Sequence, residues 1–159
     1  MDKVMLARQR MGSYTVNYEN KKYKWQGVKG EIVFKREVPE DVFDYLQSAT
    51  TTFQDGELVI LAKDKSQKEE VEEMIENIPD ADLYKANTHS KEEIVTLLKG
   101  NMKKMESELK KITSVTEKRF VIDIAKELVA NNELDSASKR ELIIKWHGTK
   151  LSVADFFEI

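Results

Sequence analysis

The chain has 159 residues, 40% hydrophobic and 35% charged, with a formal net charge of −3 and no cysteine. That composition fits a helix-rich globular protein large enough to bury a core, and it excludes a disulfide framework, thiolate chemistry and bulk coating of nucleic acid. The charge is unevenly spread: residues 1–36 carry nine Lys/Arg against three Asp/Glu, and the remaining 123 carry seventeen against twenty-six.

In chain order, residues 1–13 hold Arg8 and Arg10 among few apolar anchors and read as a flexible basic arm. Their short apolar stretches do not form a signal-peptide core. From Tyr14 the pattern alternates: Tyr14, Val16 and Tyr18 predict one strand, Glu19-Asn20 a turn, and Tyr23 and Trp25 a second strand with Lys22 and Lys24 on its solvated face. Glu31–Phe34 reads as a further short strand. Pro39 with Glu40 and Asp41 opens a helix bearing Val42, Tyr45, Leu46 and Ala49, and Leu58–Ala62 reads as a buried strand.

Ser66 and Glu69 mark the start of a helix with Val71, Met74, Ile75 and Ile78 inward, and Ala81–Lys85 reads as a short final strand. Asn87-Thr88-His89 makes a linker. Ser90 and Glu93 form a capping box opening a long helix, in which Leu98, Met102, Met105, Leu109 and Ile112 repeat as an a/d seam. Ser114 and Glu117 are a second box before the stripe of Phe120, Ile124 and Leu128. Asp135 caps a helix closed by His147-Gly148, and Ser152 a last turn carrying Val153, Phe156 and Phe157. The expected fold class is α+β: a basic arm over 1–13, a small β-rich module with one or two short helices over 14–86, and a helical region with an apolar tail over 87–159.

Catalytic and metal chemistry find little here. His89 and His147 lack neighbours at ligand spacing. Glutamates 69, 70, 72, 73 and 76 read as a solvated face, and Gly27-Val28-Lys29-Gly30 as a turn without a phosphate-loop pattern. No enzyme, cofactor or metal site is expected. The candidates for partner contact are Arg8, Arg10, Lys22 and Lys24 in the basic segment, and Val153, Phe156, Phe157 and Ile159 at the apolar end, which either folds back or anchors in a partner.

Gly27-Val28, Val38-Pro39, Asp44-Tyr45-Leu46 and Phe53 before an apolar strand follow one another in an order that resembles the N-terminal module of YqbF-type proteins, encoded among prophage head genes. The resemblance covers residues 23–61 and brings no site residues. It implies a virion head or head–tail junction component. With the missing catalytic constellation, the charge asymmetry and the apolar terminus, the expected function is a non-enzymatic structural or assembly protein, a minor phage virion component that is head-associated, a decoration or at a head–tail junction. Its partners would be capsid or other virion subunits, with a homo-oligomer also open, and nucleic acid and membranes are not expected partners. Its location would be the virion or the host cytoplasm, with no signal-peptide secretion. The alternatives are a nucleic-acid-binding or regulatory module using the basic segment, or a phage-encoded inhibitor of a host factor.

Overall fold

In the computed structural model, which describes residues 2–159, strand β1 (Lys3–Arg8) runs between two antiparallel neighbours, β4 (Phe34–Pro39) and β5 (Val59–Leu61). The basic arm expected over 1–13 is therefore corrected: beyond Met1, which lies outside the described residues, its first half is the centre of a sheet. Val4, Leu6, Ala7 and Arg8 are all buried. A strand flanked on both sides and covered on both faces carries apolar residues in a row, so Val4-Met5-Leu6-Ala7 shows no alternation.

The chain divides into two compact units, Met1–Thr88 and His89–Ile159. In the first, β2 (Tyr14–Tyr18) and β3 (Lys21–Trp25) form a separate two-stranded hairpin. Glu19 and Asn20 both take left-handed backbone, at φ 49° and 64°, as a two-residue turn matched to strand twist requires. The short strand read over Glu31–Phe34 reduces to a bridge between Lys29 and Ile32, and β4 begins only at Phe34. Helix α1 (Glu40–Ala49) buries Val42, Phe43 and Leu46, with Glu40 and Asp41 at the positive end of its dipole.

Asp64, not Ser66, caps the 3-10 turn Lys65–Gln67 that leads into α2 (Lys68–Asn77). The strand expected at Ala81–Lys85 is instead helix α3 (Ala81–Asn87). Asp80 turns the chain at φ 54°, and helical spacing then places Tyr84 and Asn87 inward together. The Tyr84 hydroxyl accepts from the Ile60 amide at 3.0 Å, and burial pushes its own pKa up to about 12.

The second unit is entirely helical: α4 (Lys91–Lys99), α5 (Met102–Lys111), α6 (Val115–Ala130), α7 (Ala137–His147) and α8 (Val153–Phe157). Ser90 and Glu93 form the expected capping box, and Ser114 and Ser152 cap α6 and α8. The long a/d helix does not exist. It breaks at Gly100-Asn101, where the Asn101 side chain accepts from the Lys103 and Lys104 amides and starts α5. Met102 consequently sits exposed in a first turn, while Leu98, Met105 and Leu109 are buried in the unit's core. Ser136 takes the capping role expected of Asp135. The fold class is α+β, a β-rich N-terminal region followed by helices.

Candidate functional site

The hairpin β2–β3 presents two chemically opposite faces. Inward, Trp25 donates its indole N–H to the Leu6 carbonyl at 3.1 Å, and Tyr18 stacks against Tyr45 of α1 at 5.0 Å between ring centroids. Tyr23 is buried, with the charged groups of Lys21 and Arg36 at 5.1 and 5.0 Å from its ring centre. Outward, Lys24 lies opposite Thr15 and Lys22 opposite Asn17. Both lysines are exposed, and neither has an ion-pair partner among the described residues. Lys29 and Lys35 are also exposed. The aromatic anchors fix the ribbon; the lysines are left to solvent or to a partner.

Arg8 and Arg10 belong elsewhere. Their guanidinium groups converge on Glu57, Arg8 Nη1 to Oε2 at 2.8 Å and Arg10 Nη1 to Oε1 at 3.0 Å, with all three side chains largely buried. Arg8 also donates to the Gly12 carbonyl, and Arg10 to the carbonyls of Asp55 and Asn87 at 2.6 and 3.0 Å. Burial lowers the Arg8 pKa while Glu57 opposes the shift, and a guanidinium stays charged throughout. Gly56 completes the clamp: its φ is +70°, and a Cβ there would come within 1.8 Å of the Asn87 carbonyl oxygen. Arg8 and Arg10 are thus structural, which corrects their reading as docking residues. Long side chains with many donors are used to hold an interior loop as readily as a ligand.

The apolar end folds back. Phe156 and Phe157 are buried in the core of the second unit, edge to face at 5.0 Å, and Lys126 Nζ lies 4.6 Å from the Phe156 ring centre. Val153 packs against the same core. Of the four tail candidates only Ile159 remains exposed. The structure therefore brings Lys22 and Lys24 together at the surface and removes the phenylalanines and the two arginines from it.

A second polar site went unread in the sequence. His89 Nδ1 lies 3.8 Å from Oε1 of Glu117, whose side chain is only 1% exposed. A groove of about 630 Å³ opens beside them, lined by Glu92, Glu93, Thr96, Lys104 and Glu108 among others. Burial depresses the His89 pKa, but the proximity and charge of Glu117, with Glu93 and Glu108 behind it, outweigh that and leave it above the ordinary imidazole value. The capping-box pattern concealed this pair: Glu117 stands three residues after Ser114, where its carboxylate was expected to serve the helix end. No group of three or more His, Cys, Asp or Glu among the described residues could hold a metal ion.

A family model for the YonA N-terminal domain matches residues 2–80, and one for the YonA C-terminal domain matches 90–153. The chain belongs to the YonA family. The boundary between the two compact units, at Thr88 and His89, falls in the short stretch between the two matched spans. YonA is a phage-type family, consistent with a phage-related protein, and it is not the YqbF type that residues 23–61 resemble. No curated protein and no solved structure matches the chain. No helix among the described residues is long and apolar enough to cross a membrane.

Proposed function

We propose that this YonA family member is a non-enzymatic interaction protein of phage origin, an assembly or minor virion component that docks an acidic protein surface through its hairpin. The observation that carries this reading is the lysine face. Lys22 and Lys24 stand on a ribbon immobilised by Trp25, Tyr23 and Tyr18, so little ordering entropy is lost when a partner engages them. Lysine surfaces that have no partner within their own chain favour acidic partners through both attraction and association rate.

Nucleic acid is the weaker reading. Single strands are gripped by charge together with base stacking on exposed aromatics, and Tyr23 and Trp25 are turned into the core. Mass spectrometry of purified virions tests the proposal, comparing wild type with a Lys22→Gln/Lys24→Gln variant. Wild-type chain should copurify with particles and the variant should be depleted. Absence of the wild-type chain from particles overturns the virion role, and equal retention of the variant overturns the hairpin as its docking surface.

A further inference from the structure

We propose that the lysine face of the hairpin binds the glutamate face of α2 on a second copy of this chain, head to tail. This rests on the docking reading above and names its first partner. The supporting observation is a segregation of charge inside the N-terminal unit. Residues 1–36 carry nine Lys/Arg against three Asp/Glu, whereas residues 37–88 carry four against fourteen. The helical unit is close to balanced, with thirteen Lys/Arg against twelve Asp/Glu over residues 89–159. The acidic excess of the chain therefore lies in the same 88 residues as the basic hairpin.

Helix α2 concentrates that excess on one stripe. Val71, Met74, Ile75 and Ile78 face the core, and Glu69, Glu72, Glu73 and Glu76 follow the same i, i+3, i+4, i+7 spacing on the outside, all exposed. Glu76 pairs with Lys85, whereas Glu69, Glu72 and Glu73 have no ion-pair partner among the described residues. Like charges at these spacings repel and cost the isolated helix stability, a cost that opposing cations relieve.

The two faces cannot meet within one copy. Tyr45 of α1 touches the hairpin through Tyr18, while Phe43 and Gln47, on the other side of α1, line a cleft with Glu70 and Met74 of α2. Helix α1 thus stands between the lysine ribbon and the glutamate stripe. Complementary patches on different parts of one subunit make a heterologous contact, which closes into a ring or continues as a filament.

Sedimentation velocity on the full chain tests this at about 50 mM and about 500 mM salt, across which charge screening changes strongly. Two neutralised variants are needed, Lys22→Gln/Lys24→Gln and Glu69→Gln/Glu72→Gln/Glu73→Gln, with unchanged circular dichroism to confirm folding of these exposed substitutions. Wild type should associate at low salt and dissociate at high salt. Each variant alone should be monomeric, and a mixture of the two should give a 1:1 dimer that grows no further, because each retains one functional face. Wild type that stays monomeric at low salt, or association that persists in either variant, overturns the proposal. Loss of self-association alone leaves the virion comparison standing, since that experiment reads retention on particles.

Discussion

The two units of this chain are stabilised by opposite strategies. Every helix of the C-terminal unit begins with a side-chain cap from an adjacent residue: Ser90, Asn101, Ser114, Ser136 and Ser152. None of the three α-helices of the N-terminal unit has such a cap, and only the 3-10 turn before α2 is capped, by Asp64. That unit relies instead on contacts between residues far apart in sequence: β1 against β4 and β5, Trp25 on Leu6, Arg8 and Arg10 on Glu57, and Arg10 on Asn87. Local encoding makes each helix start on its own evidence; distant encoding makes the unit hold together or fail as a whole.

The largest effect that would expose this difference is Glu57→Ala. It leaves two buried guanidinium groups without their carboxylate, and removing one partner of a buried ion pair costs about 3–5 kcal/mol. Urea denaturation followed by amide exchange should show the loss, with Val4–Ala7 deprotected together with the hairpin. Strong exchange protection of Val4–Ala7 in wild type is the corresponding expectation, and free exchange there would contradict the central position of β1.

Phe156→Ala should be comparable in the other unit, about 3 kcal/mol, since it empties part of a packed core. Its effect should register in α6 and α7 rather than in the sheet. Ser114→Ala should be milder, about 1 kcal/mol, the usual loss for a helix cap. A Ser114→Ala loss as large as that of Glu57→Ala would break the contrast between local and distant encoding.

The smallest effect sharpens the comparison through pH. His89 has a folded-state pKa raised above its unfolded value, so its stabilising contribution is complete below about pH 6.5, the ordinary imidazole value, and is lost as pH rises through the folded value. The wild-type melting temperature should fall relative to that of His89→Gln between about pH 6 and pH 8. A difference that stays constant across that window would mean that the imidazole titrates alike in the folded and unfolded chain.

What was legible in the sequence follows the same division. Caps lie within three or four residues of the helix they start, so Ser90, Ser114 and Ser152 could be read directly, as could the hairpin from its alternation. Asn101 was missed because a 4-3 apolar spacing runs across the break and Asn is an ordinary residue inside a solvated helix face. The arm was misread because the partners of β1 begin 26 residues after it ends, at Phe34, and because a fully enclosed strand loses the alternation that marks a half-exposed one. Arg8 and Arg10 looked like surface charge for the same reason: Glu57 is 47 residues beyond Arg10. Alternation placed Lys22 and Lys24 correctly on the outer face, whereas nothing short of the fold could pair His89 with Glu117.

The central position of β1 also governs the order of events as the chain is made. This strand leaves the ribosome before either neighbour, and β5 follows only after Leu61, about 3–12 s later at ordinary elongation rates. A nascent chain halted before Leu61 therefore exposes Val4-Met5-Leu6-Ala7 without its full sheet, and Arg10 waits longer still, for Asn87. During that interval the exposed Val4–Ala7 segment is what a holding chaperone would grip.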